Sequence, residues 1–395
     1  MKSCKAWVRF CSGVLMSVAA FSASASLLVT PHTAARDGDL AGAASADPVD
    51  AGSASLANPA GVVGPLSHQI VGAIATINFT ARYSNPDQGF DQISSETPMF
   101  LNAWYGLGEV NGWSMGLSLY GSAGTAFNFA ADGLQDAPYL GKLGLINFGF
   151  LIGRQLTPRL AVGLQIAPNL VHQSVKLPTP LGQVDFDSLR GLGIDGALGL
   201  VYQASDRLSL GLAYRSRGYS RLKGDGTVGE VKQDLELQLY TPQSVTGGLA
   251  FKGPADLTLF AQAKWSRYSD FELGSFEFEK SDMLDQPFIS DARNRVRYWA
   301  ALEYEGLENQ TLRIGYTYEE WMIEPSAMRP TLFDTADSML MLGYEVQHER
   351  FNLGFTYGLV SGRPRTISEA ENPFFPGTYS NNIRTGFGVH LTWHI

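Results

Sequence analysis

The closing stretch of the chain, residues 383–395, reads IRTGFGVHLTWHI. Its odd positions hold mainly apolar residues, and its even positions hold polar residues or glycine. A two-residue period predicts a β-strand with one apolar and one polar face. Trp393 stands near the end of this stretch, as an aromatic residue does in the closing strand of many membrane β-barrels.

The same alternation recurs along the chain from residue 68 onward and predicts fourteen strands. An even number of strands is typical of a single-chain bacterial barrel. The predicted strands cover residues 68–84, 98–109, 112–127, 140–156, 158–176, 184–203, 207–222, 231–252, 256–277, 291–306, 309–322, 335–348, 350–366 and 380–395.

The predicted connections alternate between short and long. Short turns fall at residues 109–112, 157–158, 204–206, 253–255, 306–308 and 348–349. Longer links fall at 85–97, 128–139, 272–290, 323–334 and 367–379. This parity indicates a barrel with short periplasmic turns and long outer loops.

A soluble β-sandwich also has alternating strands, but they are usually only about five or six residues long. Many of the predicted strands end in aromatic residues, which indicates two interfacial girdles. These aromatics are Tyr83, Trp104, Tyr105, Trp113, Tyr120, Tyr202, Tyr214, Trp265, Tyr268, Tyr304, Tyr318, Trp321, Tyr357 and Trp393. We therefore predict an all-β fold, a transmembrane antiparallel β-barrel of about 14 strands over residues 67–395.

The first 25 residues have the order of a secretory signal peptide: basic residues, a short apolar run, then Ala-Ser-Ala. Both cysteines, Cys4 and Cys11, lie in this segment, so the mature chain is expected to have no thiol. Removal of the signal peptide lowers the number of Lys and Arg residues from 29 to 26, against 38 Asp and Glu residues. The net charge of the mature chain is therefore −12. This acidity argues against a nucleic-acid partner.

Residues 26–66 differ from the rest because they are rich in Ala, Gly, Ser and Asp. Such a stretch is either a disordered leader or a plug inside a wide barrel. It contains the most specific string in the chain, AARDGDLAGAASADPVDAGSASLANPAG, which runs from residue 34 to 61 and includes Asn58-Pro59-Ala60.

That string resembles the N-terminal hatch of the FadL family of outer-membrane long-chain fatty-acid and hydrocarbon transporters (OmpP1/FadL/TodX-like). Residues 112–118 and 120–127 look like the family's third strand, and residues 240–245 and 264–271 are similar to its eighth and ninth. The chain departs from the family in its short links near 177–183 and 223–230 and in ending at Ile395. These departures bear on how a ligand is captured at the surface.

The resemblance implies passive uptake of hydrophobic molecules across the outer membrane of a Gram-negative bacterium, with a hatch at 26–66. It also implies a lateral exit where the third strand is kinked. Gly121 and Gly124 stand where such a kink is expected, since glycine weakens a strand. The expected partners are hydrophobic small molecules, outer-membrane lipid and lipopolysaccharide, and the protein is expected to be a monomer.

Candidate ligand contacts come from residues on the predicted inward face. A fatty-acid carboxylate needs a cation, and Lys264 and Arg297 are our candidates among the basic residues Lys264, Arg295, Arg297, Arg313 and Arg384. Phe260 and Trp299 break the polar-inward pattern, and Met339 and Met341 suit an irregular ligand. These four residues are predicted to line an apolar pocket.

Two other functions stay open at this point. One is a weakly selective porin for small solutes; the other is an outer-membrane lipid hydrolase. The G-x-S-x-G match at residues 112–116 lacks the helix that a nucleophile elbow requires, and the match to a dinucleotide motif at residues 191–196 lies inside a strand. The six histidines show no metal-binding spacing. We therefore expect no enzyme activity, no cofactor and no metal.

Overall fold

The structure is a computed structural model. It describes residues 35–97, 99–129, 140–179, 182–269, 274–280, 285–287, 291–330, 334–335, 337–381 and 384–395. The predicted signal peptide, residues 1–25, lies outside the described residues, as does the first part of the predicted plug.

Most of the described chain is β-structure. The strands are β1 (Gln69–Ile77), β2 (Phe79–Asn85), β3 (Phe90–Glu96), β4 (Met99–Val110), β5 (Trp113–Asn128), β6 (Leu140–Thr157), β7 (Leu160–Thr179), β8 (Gly182–Gln203), β9 (Leu208–Arg215), β10 (Gly218–Val228), β11 (Val231–Thr241), β12 (Gln243–Lys252), β13 (Leu257–Arg267), β14 (Gly274–Phe278), β15 (Gln286–Pro287), β16 (Arg295–Leu307), β17 (Gln310–Glu319), β18 (Asp337–Gln347), β19 (Phe351–Gly362), β20 (Arg365–Ile367), β21 (Gly377–Asn381) and β22 (Arg384–His394).

The helices of the described residues are short. They are α1 (Ala35–Asp39), α2 (Ala51–Leu56) and the 3-10 helices Pro59–Val62, Pro65–His68, Pro86–Gln88 and Pro325–Ala327. Within the described ranges, no helix combines the length and the apolar character that crossing a bilayer requires.

The wall is a closed antiparallel barrel of 14 strands, which confirms the predicted fold. Closure comes from β22, which pairs with β19 on one side and with β1 on the other. Ile74 lies opposite Val389 and Ile70 opposite Trp393. The predicted closing strand thus pairs with β1 along the whole length of β1. Eight barrel strands of the described chain consist of two segments in series: β1 with β2, β3 with β4, β9 with β10, β11 with β12, β13 with β14, β15 with β16, β19 with β20, and β21 with β22.

Four of the outer segments form a separate sheet in the order β20, β21, β2, β3. The predicted long loop at 85–97 is therefore wrong over most of its length, because Phe90–Glu96 forms β3 and pairs with β2. An exposed ion pair between Arg82 and Asp91, 2.5 Å apart, joins the two strands. The hairpin carries polar side chains, which hid its strand character from a search for apolar alternation.

The membrane-facing band follows the predicted alternation. On β13 the outward residues Leu259 and Trp265 are exposed, whereas the inward residues Thr258 and Gln262 are buried. β8 shows the same pattern at its Leu198, which is 56 % exposed although it is apolar. A side chain of this kind is stable only against lipid, so this band marks the level of the bilayer.

The outer ends of the strands reverse this pattern. On β10, β11 and β14 the apolar residues face the lumen, where they form the outer chamber; its residues from these strands are Leu222, Val228, Leu235, Leu237, Leu239, Phe276 and Phe278. Their neighbours on the outward face are charged, and Glu236 pairs with Arg221 and Lys223. Charged outward side chains place these segments beyond the lipid, in water or among sugars.

The reversal arises at breaks between two segments that follow each other in the same barrel strand. Inward residues are odd-numbered up to Arg215 on β9 and even-numbered from Gly218 on β10. A second change occurs around Pro242, between β11 and β12. Proline cannot donate to a β-ladder, which explains the break at this position.

Four residues of the predicted aromatic girdles are buried instead, so the prediction is wrong for Tyr83, Trp104, Tyr120 and Tyr268. Their side chains find polar partners inside the protein. The Trp104 indole Nε1 donates to the carbonyl of Leu66 at 3.0 Å, and the Tyr83 hydroxyl donates to the carbonyl of Pro376 at 2.8 Å. Sequence position shows that an aromatic residue is near a strand end, but not which face it occupies.

The outer chamber gives a first test of the fold. Leu237→Ala should lower the free energy of unfolding by about 2–5 kcal/mol, because it opens a cavity in a closely packed cluster. Leu156→Ala is the matched control, since Leu156 is 55 % exposed at a turn. Urea unfolding in lipid vesicles measures both. Equal effects of the two substitutions would contradict the packing of Leu237 in the chamber.

Candidate functional site

Residues 35–68, called the N-terminal segment below, are packed against inward-facing residues of the wall. α1 contacts β17, β18, β19 and β22, while Pro59–Val62 contacts β6, β7 and β8. Contacts on opposite sides of the barrel place the segment in the lumen. Nearly all of its described side chains up to Val62 are buried.

Local hydrogen bonds shape the segment. Asp50 caps α2 by accepting from the backbone N–H groups of Gly52 and Ser53, and Ser53 completes a capping box. Burial and, to a smaller extent, the nearby Asp37 carboxylate raise the pKa of Asp50 to about 6. The Asn58 side chain accepts from the N–H of Ala60, and Pro59 starts the next helical turn.

Asn58 also ties the segment to the wall. Its amide nitrogen donates to the carbonyl of Ser45 at 2.8 Å and to the carbonyl of Leu200 on β8 at 2.9 Å. The motif Asn58-Pro59-Ala60 thus joins two parts of the segment and one barrel strand. Its amide is fully buried, so each of these bonds is needed to offset desolvation.

A buried ionic network holds the other end of the segment. Arg36 binds Glu303 on β16 at 2.6 Å and Asp47 at 2.8 Å. Arg313 on β17 binds the same Glu303 at 2.6 Å and Asp39 of the segment at 3.0 Å. The network continues from Arg313 through Glu345 on β18 to His390 on β22, which lies 3.2 Å from Glu345.

Glycines on the inward face let the backbone of the segment approach the wall. A Cβ at Gly315 on β17 would overlap the backbone of Leu40, and one at Gly163 on β7 would overlap Pro59. Close approach of two backbones is a common reason for glycine in a strand. The glycine content of these strands therefore reflects the presence of the segment.

An apolar cluster lies between the segment and β13, β16 and β18. It joins Leu40 and Ala41 to Phe260, Trp299, Met339 and Met341. The Trp299 indole Nε1 donates to the carbonyl of Ala41 at 2.7 Å, and the Arg36 guanidinium lies 5.2 Å from the centre of the Phe260 ring. Phe260 and Trp299 thus contact the segment itself.

Two cavities flank the segment. The first, the methionine cavity, is small and has an almost wholly apolar lining. Its lining includes Met339, Met341, Thr356, Gly358 and Val360, together with residues of β1 and β22. The second, the side cavity, is smaller and lies between α2 and β1, β4 and β5, with Ser55, Ala73 and Tyr120 in its lining.

The side cavity lies where two barrel strands separate. Within the described residues, the ladder between β4 and β5 runs from Val110 and Trp113 to Ala103 and Leu119 and ends there. Beyond that point β5 continues on β6 alone, with a register shift between Gly121 and Ala123. The backbone N–H of Asn128 meets Ser94 Oγ at 2.8 Å, so the two barrel strands approach again at the outer end.

Cations gather on another part of the inward face. Lys264 on β13 lies opposite Arg297 on β16, and Arg215 and Arg295 add to the positive potential at its ammonium. Glu319 opposes them and binds both Arg297 and, at 3.5 Å, Arg295. Of the two predicted head-group contacts, Arg297 is thus engaged with an acid.

Comparison with known proteins agrees with this geometry. The family model described as "Outer membrane protein transport protein (OMPP1/FadL/TodX)" matches residues 15–372. The chain belongs to this family. It is therefore an outer-membrane transporter of hydrophobic compounds in a Gram-negative bacterium, a channel and not an enzyme.

Solved structures show the same fold at low identity. A FadL homologue from Pseudomonas aeruginosa is 14 % identical, covers 94 % of this chain and 100 % of its own, and has a TM-score of 0.78. The toluene transporter TodX of Pseudomonas putida is 15 % identical, covers 93 % of this chain and 99 % of its own, and has a TM-score of 0.73. The toluene transporter TbuX of Ralstonia pickettii is 14 % identical, covers 93 % of this chain and 99 % of its own, and has a TM-score of 0.71. The search of curated proteins found no match.

The two enzyme-like motifs lie in the barrel wall. Ser114 of the G-x-S-x-G match is buried within β5, and residues 191–196 lie within β8. Neither is followed by the helix that its chemistry requires. In the part of the chain that the structure describes, no group of three or more His, Cys, Asp or Glu side chains is arranged to hold a metal ion.

The predicted ligand contacts fall into three places. Met339 and Met341 line the methionine cavity, Phe260 and Trp299 pack against the N-terminal segment, and Lys264 and Arg297 lie in the cationic group. Their roles in binding stay predictions. The side chain of Arg384 lies outside the described part.

Sequence reasoning missed the outer chamber and Arg215. The chamber could have been found from the reversed alternation of residues 219–223 and 233–239. Apolar residues alternate there with charged residues, which are unfavourable on a lipid-facing surface. Arg215 carries no such signal, because its importance depends on partners from four separate parts of the chain.

The glycine contact with the segment can be tested directly. Gly315→Ala should displace the backbone of Leu40 and raise about tenfold the rate at which an Ala43→Cys probe reacts with a charged, water-soluble thiol reagent, since overpacking costs about 1–3 kcal/mol. Gly247→Ala on β12 is the control, because a Cβ there meets open space. An unchanged rate in Gly315→Ala would show that the segment does not depend on this contact.

Proposed function

We propose that the protein takes up long-chain fatty acids or hydrocarbons passively, with the N-terminal segment as a movable hatch and a lateral exit beside barrel strand three. The methionine cavity carries this proposal. It is apolar, lies in the lumen and is bordered by residues that pack with the hatch. A channel for small polar solutes has no use for such a cavity, whereas an oily guest gains free energy from each apolar contact.

The route has three parts in this proposal. A hydrophobic molecule passes the outer chamber, occupies the methionine cavity, and then reaches the side cavity when the hatch shifts. The end of the ladder between β4 and β5 at Ala103 and Leu119, with the register shift beside Gly121, supports an exit toward the bilayer at this place. The charged outer faces of β10 and β11 would contact lipopolysaccharide.

The lining of the methionine cavity bears on its ligand. Its polar side chains are the hydroxyls of Thr76 and Thr356, and it contains no cation. A neutral ring or an alkyl tail therefore fits this cavity. The carboxylate of a fatty acid would instead be bound by Lys264 and Arg297, where positive charge predominates.

Uptake measurements test the proposal. A strain without the protein should take up labelled oleate, toluene or both more slowly, and the purified protein should pass little steady ion current in planar bilayers because the hatch fills the lumen. Met341→Trp should reduce uptake several-fold by filling the methionine cavity. Unchanged uptake of both compounds, together with a large steady current, would instead support a porin.

The proposed head-group site has its own test. Lys264→Met should lower oleate uptake about tenfold and leave toluene uptake unchanged, since a hydrogen bond to a charged group contributes about 1.5–3 kcal/mol. Lys252→Met, at the exposed end of β12, is the charge-matched control. An equal loss for both compounds would show that Lys264 supports the barrel and does not select carboxylates.

A further inference from the structure

Arg215 joins the hatch to the wall beside the side cavity. It lies at the end of β9, and its guanidinium binds four groups. Nη1 donates to Asp195 Oδ1 at 2.7 Å and to the Tyr120 hydroxyl at 3.4 Å, and Nη2 donates to the carbonyl of Ser55 at 2.7 Å and to Gln165 Oε1 at 3.0 Å. One side chain thus bridges the hatch, β5, β7 and β8.

Its contact with the hatch is made at the end of a helix. Ser55 is the second-last residue of α2, and its carbonyl is among the last four of the helix, which cannot be satisfied within the helix. A positive charge at this end also interacts favourably with the helix dipole. The Ser55–Arg215 bond therefore depends on the seated position of α2.

Its contact with the wall is made where the ladder ends. Tyr120 follows Leu119, the last residue of β5 that pairs with β4, and precedes the register shift between Gly121 and Ala123. The Tyr120 side chain is 2 % exposed and lines the side cavity together with Gly52, Ser55 and Leu56 of the segment. Tyr120 thus lies in the wall of this cavity, between the end of the β4–β5 ladder and α2.

We propose that Arg215 is a positioning residue that couples the hatch to the lateral exit, so that withdrawal of α2 frees Tyr120 and widens the side cavity. The inference rests on the proposed lateral exit. Asp195 holds the guanidinium on the wall through a 2.7 Å ion pair, so Arg215 stays in place when the Ser55 carbonyl leaves. Nη2 then keeps its bond to Gln165 and turns its other N–H toward water, and this rotation of the guanidinium breaks the long 3.4 Å contact from Nη1 to Tyr120.

Two single-cysteine proteins in lipid vesicles test the coupling without any transport substrate. Ser55→Cys with a charged thiol reagent reports movement of the hatch. Ala73→Cys, on the β1 wall of the side cavity, reports access from the bilayer through the membrane-soluble reagent pyrenylmaleimide. Asn58→Ala loosens the hatch at a distance from Tyr120, because it removes the bonds to Ser45 and Leu200.

With Arg215 present, Asn58→Ala should raise both labelling rates about tenfold. In the Arg215→Met background the Ala73→Cys rate should already be raised, and adding Asn58→Ala should change it less than twofold. Tyr120→Phe should raise the Ala73→Cys rate and leave the Ser55→Cys rate at its original level. A residue that only held the hatch in place would change the Ala73→Cys and Ser55→Cys labelling rates together.

Two results would overturn the coupling. One is an equal effect of Asn58→Ala on the Ala73→Cys rate with and without Arg215; the other is an Ala73→Cys rate that neither Arg215→Met nor Tyr120→Phe changes. Heat-modifiable migration in gels shows that each variant folds, and Tyr120→Phe provides the test if Arg215→Met does not fold. Normal coupling in a protein that fails the uptake assays would overturn the proposed function alone.

Discussion

The pairing of β22 with β1 is the interaction on which the rest of the structure depends. In a bilayer no water is present to satisfy an exposed strand edge, and each unpaired backbone group costs several kcal/mol. The seam that joins Ile70 to Trp393 and Ile77 to Gly386 removes the last two edges. Once the sheet is closed, the inward side chains face a lumen too wide for them to fill.

The N-terminal segment and the inward glycines solve this filling problem together. The segment brings Arg36 and Asp39 into the lumen, and the wall supplies Glu303 and Arg313 to pair with them. Charges at this depth are stable only when paired, because removing one partner of a buried pair costs about 3–5 kcal/mol. The wall and the segment are thus complementary in charge as well as in shape.

Alternation in the sequence was sufficient to predict the barrel, its closing strand and its strand number. It was sufficient because lipid on one face imposes the same period on every strand. The period did not reveal the strand Phe90–Glu96, and for the predicted strand around Leu235–Leu239 it did not show that the apolar face is inward. Both lie beyond the bilayer, so their outward residues are polar. The burial of Trp104 and Tyr120 also escaped prediction, because the inward or outward phase of a strand depends on breaks and bulges.

The candidate site was less predictable, for a different reason. Met339 and Met341 could be placed on the inward face from their spacing, but the cavity that they line also needs Gly358 and Gly386 from other strands. Arg215 meets Ser55 across 160 positions of the chain and Tyr120 across 95. Contacts of such separation follow from the register of many strands, which a single sequence does not reveal.

The two ends of the N-terminal segment are held by different forces, and this difference bears on which end would move in the proposed route. The α1 end is fixed by Arg36, Glu303, Arg313 and Asp39, and withdrawing it would leave buried charges without partners. The α2 end is held by the hydrogen bonds of Asn58 and by one bond from Arg215, each worth about 1–3 kcal/mol. Movement of α2 alone is therefore the less costly change, and α2 is the part of the hatch that lines the side cavity. In the proposed route the charged end would serve as a fixed hinge, and the segment would not have to leave the barrel.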